Sequence, residues 1–353
     1  MVSALRLRGQ GQFGTVHRVQ PELSVSVVVR SYNRLPELCR LLAVLLDQRY
    51  PNFEVVVVEQ STSTRPDAEK LLADLTRDPR LRVLRHPPLG GSRARNTGVR
   101  AARGEILLFI DDDDMPIGRE WIATHVAFYA DPLCLGVTGR QMNHLQDLPS
   151  PWYARRALTR CMGFMPLLKL PTTYVRHDQR VAPVWAVHGT NGSLRREAVE
   201  RFGGWDEDTS IEDETSFALR AGPAMRFGEY FAFEPGPVVL RGLDVPGGLA
   251  KRYVSAAGFF SRLLDFVHTI LGRYMPWRVI LLYPVYLVVL YGWTIGWVWI
   301  ESHKHRGTVL SKLAGMLLFT LQLPWVIART IVASLRKRRH AMTSARLFAP
   351  VHE

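Results

Sequence analysis

Between Ser24 and Ile110, short apolar runs alternate with stretches whose apolar positions recur every three or four residues. Ser24–Arg30 is a β-branched run and predicts a buried strand. Leu35–Gln48 is apolar at helical spacing, with Pro36 near its start, where a helix tolerates proline. Phe53–Val58 predicts a second buried strand, Ala68–Arg77 a helix and Leu81–Leu84 a short strand. Arg93–Ala102 predicts a helix and Ile106–Ile110 another apolar strand. Strands alternating with helices imply an α/β protein with a mainly parallel sheet and helices on both faces. Ligands of such sheets bind beyond the carboxyl ends of the strands. The acidic run Asp111–Asp114 begins where the Ile106–Ile110 strand is expected to end.

The pattern changes further along. Residues 1–22 are rich in Gly and Gln and read as a loose leader, and 142–183 is irregular with five prolines. A structured block follows over 184–240, with a helix expected over Thr215–Arg220. Residues 250–271 suit an amphipathic interfacial helix, with Arg262, Asp265 and His268 on one side. Val279–Ile300 then runs 22 residues without a charge, about 33 Å as a helix and enough for a bilayer core. Leu313–Leu335 is similar but interrupted by Gln322, Pro324 and Arg329, so it either crosses or lies in the interface. A transmembrane helical hairpin is expected, with domains at 23–249, 250–275, 276–338 and a basic tail at 339–353.

Charge refines this picture. Lys and Arg number 45 against 32 Asp and Glu, a net charge of +13. That favours an anionic partner: nucleic acid, a phosphorylated small molecule or a membrane surface. Arg262, Arg273 and Arg278 precede the first apolar segment and Arg336–Arg339 follow the second. The excess outside the hairpin puts both flanks in the cytoplasm, with the protein multi-pass in the inner or plasma membrane. The membrane surface accounts for much of the charge, and no nucleic-acid partner is expected. Residues 1–20 hold no apolar run of signal-peptide length. Cys39, Cys134 and Cys161 are widely spaced and odd in number, so neither a disulfide framework nor a zinc spacing is visible.

Gly9–Val16 matches the glycine-rich loop of protein kinases, but no strand lysine, HRD or DFG accompanies it. Three other features carry chemistry. Four adjacent carboxylates at Asp111–Asp114 repel one another unless a cation or solvent relieves them. At a strand end they suit Mg²⁺ or Mn²⁺, which takes oxygen ligands and shares substrate phosphates; the bland alternative is a solvated acidic turn. Ile211-Glu212-Asp213-Glu214 leads into a helix; it is either a capping device or the base that a hydroxyl acceptor requires. Gly90-Gly91 opens a helix carrying Arg93 and Arg95, a setting that favours an anion or merely a basic solvated face.

Taken in order, Ser26–Arg34, Val58–Ser61, Ala94–Gly98, Asp111–Asp114, Gly189–Asn191, Gly204–Glu207 and Glu212-Asp213 resemble family 2 glycosyltransferases of the GT-A fold, over roughly residues 26–220. The resemblance implies inverting transfer from a nucleoside diphosphate sugar. Ser31, Tyr32, Glu59, Arg95, Asn96, Asp111 and Asp112 match the donor side. Asp111 and Asp113 match the two acids of the DxD element, which hold Mg²⁺ or Mn²⁺. Gly189, Asn191, Trp205 and Glu212 match the acceptor side, and Asp213 the catalytic base. Two departures stand out. Glu59 replaces the more usual Asp, and Arg30 stands where the first strand usually ends in Pro. The Gln-x-x-Arg-Trp element of processive synthases is absent after residue 220, which favours addition of one or a few sugars. The expected acceptor is a lipid-linked or membrane-proximal glycan of cell-envelope or polysaccharide biosynthesis. A metal-dependent nucleotidyltransferase and a catalytically silent membrane scaffold remain as alternatives.

Overall fold

The computed structural model describes residues 23–142, 180–207, 213–241, 256–304 and 309–341. The expected leader with its glycine-rich run, most of 142–183 with Cys161, Glu212, the start of the expected interfacial helix, and the tail beyond Ala341 lie outside them.

The first half follows the strand–helix alternation of the sequence. Strand β1 (Val25–Ser31) leads to helix α1 (Leu35–Leu46), β2 (Phe53–Glu59), α2 (Pro66–Leu75), β3 (Leu81–Arg85), α3 (Gly91–Ala101) and β4 (Ile106–Asp111). Then come β5 (Asp114–Pro116), α4 (Trp121–Val126), β6 (Cys134–Met142), β7 (Val181–Val184), β8 (Gly192–Arg195), α5 (Arg196–Phe202), α6 (Asp213–Ala224) and β9 (Tyr230–Arg241).

Among the described residues the strands form one sheet in the order β3-β2-β1-β4-β8-β6-β9-β5, with β7 on β9. The sheet is mixed where a mainly parallel one was expected, although β6 and β9 in its second half also pair parallel. β3, β2, β1 and β4 are parallel, but β8 runs antiparallel to both β4 and β6, and β5 and β7 run antiparallel to β9.

Strand alternation builds two cores. Val27, Val29, Val55, Val57 and Leu108 face α1, α2 and α4, around Leu38, Leu42, Leu72 and Trp121. Val28, Val56, Leu107 and Phe109 face α3, α5 and α6, around Val99, Val199, Trp205 and Phe217. Burial on both faces explains the unbroken valine runs. Gly98 lets α3 approach the sheet, since a Cβ there would overlap Val28.

The last described residues form a helical unit: α7 (Ala256–Phe266), a π turn (Val267–Leu271), α8 (Gly272–Tyr274), α9 (Pro276–Lys304) and α10 (Val309–Ala341). Phe260, Leu264, Ile270, Tyr286, Leu290 and Phe319 form its core, which Leu219 of α6 joins. Ser261–Thr330 and Tyr291–Thr320 hydrogen bonds, both 2.8 Å, tie its helices together. Among the described residues α9 alone has a stretch long and apolar enough to cross a membrane, Pro276–Gly296, most of it not buried in the protein. The apolar stretch of α10, Met316–Val332, is shorter. α10 contains the predicted segment 313–335 in full.

Candidate active site

The carboxyl ends of β1, β2 and β4 meet beside one another. Asn33, with φ 56°, turns the chain out of β1. Its N–H donates to Ser61 Oγ at 2.8 Å and its Oδ1 accepts from Thr62 N at 2.9 Å, which joins the ends of β1 and β2. Tyr32 is exposed beside this turn. Glu59 ends β2 buried; its Oε1 accepts the Ser61 N–H at 2.8 Å, and Arg85 lies 3.7 Å away.

The four acids alternate in direction. Asp112 and Asp114 are buried, whereas Asp111 and Asp113 are partly exposed. Asp112 accepts from Ser31 Oγ at 2.8 Å and from Arg34 Nη1 at 3.1 Å. Asp114 accepts from Thr190 Oγ1 at 2.5 Å, and Arg241 Nε lies 3.7 Å from its other oxygen. Asp111 accepts from Arg30 Nε at 3.2 Å and Asp113 from Arg34 Nη1 at 2.7 Å. Burial pushes the Asp112 carboxyl up to about 6 against the pull of Arg34, and Asp114 up to about 7 against Arg241. Burial also raises Asp113. It acts on Asp111 too, but Arg30, Arg95 and Arg241 together hold that group below its ordinary value. Asp112, expected on the donor side, is thus a buried brace between β1 and the acid run.

These residues suit a divalent cation shared with a ligand. Asp111 and Asp113, one residue apart and both partly exposed, offer hard oxygen donors. Among the described residues no group of three or more His, Cys, Asp or Glu side chains gathers to hold a metal alone. A cation here therefore needs further oxygens from phosphate or water.

A second layer links this edge to the acceptor-side segments. Gly90, at φ 87°, precedes α3. Arg95 is buried; its Nη2 donates to Gly189 O at 3.3 Å, and its guanidinium lies 5.1 Å from the Trp205 ring. Gly189 N–H donates to Glu214 Oε1 at 3.0 Å, and a Cβ on Gly189 would overlap both Arg95 and Glu214. Asn96 is fully buried, donating to Trp205 O at 2.7 Å and accepting from Trp205 N at 2.9 Å. Trp205 is itself buried, edge-on to Phe109 at 4.7 Å and stacked on Phe217 at 5.6 Å.

Asn191 departs most from expectation. It is fully buried at φ 53°. Its amide donates to Arg140 O at 2.7 Å and Pro237 O at 3.0 Å, and accepts from Trp121 Nε1 at 2.8 Å. A side chain so enclosed shapes the 188–191 turn. Asn96 likewise holds the Trp205 backbone. Asp213 is the first residue of α6, and Glu212 lies outside the described residues. Sequence reasoning missed the arginines. Arg34 lay inside a recognised motif and Arg30 was visible as a departure. Arg241 had no local signal, because the β5–β9 pairing that sets it opposite Asp114 is long-range.

The fold is a GT-A-type mixed α/β sheet. Among solved structures it is similar to the mannosyltransferase PcManGT from Pyrobaculum calidifontis, in complex with GDP-Man and Mn²⁺, with a TM-score of 0.51 and 21% identity over 90% of this chain and 87% of that one. It is also similar to S. aureus TarS 1-349 in complex with UDP-GlcNAc, with a TM-score of 0.51 and 17% identity over 71% and 67% of the two chains. The family described as Glycosyl transferase family 2 matches residues 26–203, half of the chain, and the protein belongs to that family. Relatives include the uncharacterized glycosyltransferase EpsJ of Bacillus subtilis (strain 168), 38% identical over 205 residues, 56% of this chain and 55% of EpsJ. The O-antigen biosynthesis protein RfbC of Myxococcus xanthus is 29% identical over 203 residues, 56% of this chain and 16% of RfbC. The chain thus matches about half the length of EpsJ and a smaller part of RfbC.

Proposed function

We propose that this protein is an inverting, metal-dependent glycosyltransferase that moves a sugar from a nucleoside diphosphate sugar to a hydroxyl of a lipid-linked or membrane-proximal glycan. The observation that carries the proposal is the alternation within the acid run: two carboxylates braced inward and two left partly exposed at the strand ends. The donor complexes of the structural neighbours, with GDP-Man and Mn²⁺ or with UDP-GlcNAc, and the O-antigen role named for RfbC support the same direction.

Asp111 and Asp113 would hold Mg²⁺ or Mn²⁺, which would offset the charge developing on the departing diphosphate. Tyr32 lies beside the nucleoside, and Glu59 fixes the β2 end against which the base sits. Asp213 takes the proton of the acceptor hydroxyl. The freed oxygen forms a bond to the anomeric carbon from the face opposite the diphosphate. The bond between the anomeric carbon and the diphosphate oxygen breaks, and its electron pair leaves with the nucleoside diphosphate. One displacement inverts the configuration.

The membrane proposal rests on α9. Trp277, Ile280, Leu281 and Val288 are exposed along it, a surface that a bilayer would cover. We place the catalytic domain on the cytoplasmic face of the inner or plasma membrane, with α9 spanning and α10 spanning or lying in the interface. A screen of nucleotide sugars against the purified full-length protein tests the reading. Metal-dependent release of a nucleoside diphosphate supports it; pyrophosphate release in a parallel assay with nucleoside triphosphates and a sugar phosphate would assign nucleotidyl transfer instead, and no turnover in either assay would favour a scaffold.

A further inference from the structure

We infer that Arg30 is a ligand of the donor diphosphate that shares Asp111 with the divalent cation, so that diphosphate and cation bind cooperatively. This rests on the glycosyltransferase reading above and adds a residue to its donor site.

Arg30 is the one long cation in a strand otherwise built of Val and Ser, and it sits in register with Asp111 across the β1–β4 pair. Its Nε donates to Asp111 Oδ1 at 3.2 Å. Its Nη1 lies over Gly91, the first residue of α3, where any Cβ would overlap it. The side chain is about one quarter exposed, so it reaches the cleft. A guanidinium against the positive end of a helix is unfavourable unless an anion lies between the two. The anion that this guanidinium meets in the structure is Asp111. A diphosphate fits it better, because its oxygens match the guanidinium fork.

Charge leads to the same conclusion. Arg30, Arg34, Arg95 and Arg241 act on the four carboxylates, so their charges largely offset one another. A divalent cation alone makes the site positive and must also compete with Arg30 for Asp111. When a diphosphate takes up the Arg30 guanidinium, Asp111 is released to the cation. Each ligand therefore raises the affinity of the other by the same factor.

The test is titration calorimetry on the full-length protein in detergent, using Mn²⁺ alone, inorganic pyrophosphate in EDTA, and the two together. Arg30→Ala should weaken pyrophosphate binding in EDTA by about tenfold or more, the range for a hydrogen bond between charged groups. It should tighten Mn²⁺ binding in the absence of pyrophosphate and reduce the cooperativity between them. Arg30→Lys keeps the charge but not the fork and should fall between. Thermal melts of both variants confirm that they fold. Unchanged pyrophosphate binding in Arg30→Ala, or weaker binding of Mn²⁺ alone, overturns the role of Arg30 while leaving the glycosyltransferase reading intact. Failure of the unaltered protein to bind Mn²⁺ and pyrophosphate together overturns both.

Discussion

Arg273 of the helical unit donates to Asp206 at 2.5 Å, and the adjacent Tyr274 hydroxyl donates to the same carboxylate oxygen at 3.1 Å. Asp206 is buried and lies next to Trp205, whose backbone Asn96 holds on both sides. Hydrogen bonds on the adjacent residues Trp205 and Asp206 therefore link the C-terminal helices to α3. The apolar contact of Leu219 with the helical core runs parallel to it.

Removing the Arg273 side chain leaves that carboxylate with less than its present set of donors. Arg273→Ala should lower stability by about 1–3 kcal/mol, the usual cost of an underserved buried acceptor. Thermal unfolding in detergent reads the loss. Arg273→Lys should recover part of it.

Gly189 is a steric requirement. Gly189→Ala would drive a methyl into Arg95 and Glu214. The guanidinium is buried and has little room to move, so the turn carrying Gly189 must shift. Turnover should fall at least tenfold, on the scale of small misplacements of catalytic groups, while Mn²⁺-dependent donor binding changes little. Comparing kcat with donor affinity checks this.

His125 gives a pH signature. It is fully buried between Ser193 Oγ and Asn191 Oδ1, each 3.0 Å from a ring nitrogen. Burial pushes its imidazole down to about 4. A depressed value means that the unfolded chain takes up the proton first, from about 6.5 downward. The stability contribution is therefore complete above about 6.5 and is lost as pH falls toward 4. Up to about 3 kcal/mol is at stake for a shift of this size. Asp112 and Asp114 have raised values and act in the opposite sense over about 4 to 7. The readout is accordingly the difference between unaltered protein and His125→Gln, in urea unfolding from pH 7 to 4: the unaltered protein should lose more.

The first half of the fold was legible because its signals are local. Valine runs buried on both faces, and helices with one apolar stripe, report themselves within ten residues. Asp111 and Asp113 were singled out by the resemblance to the DxD element, and they are the two acids left partly exposed. The mixed second half was not legible, because β8 and β9 take their direction from partners far away in sequence. The burial of Arg95, Asn96 and Asn191 was hidden too. A polar residue in a motif looks the same whether it touches a ligand or holds a turn. Only the tertiary partners distinguish them, and here these are Gly189, Trp205 and the 188–191 turn itself.

The proposed function is a division of labour: Asp111 and Asp113 would hold the cation that meets the leaving diphosphate, and Asp213 would take the acceptor proton. The most direct measurement compares donor binding and turnover in Asp113→Asn and Asp213→Asn, with the nucleotide sugar the screen identifies and Mn²⁺ present. Asp113→Asn should lose the Mn²⁺-dependent part of donor binding. Asp213→Asn should bind donor and Mn²⁺ within a few-fold of the unaltered protein, yet turn over about 10²–10⁴-fold more slowly, the range for a lost general base. Turnover by Asp213→Asn at the unaltered rate would contradict the account.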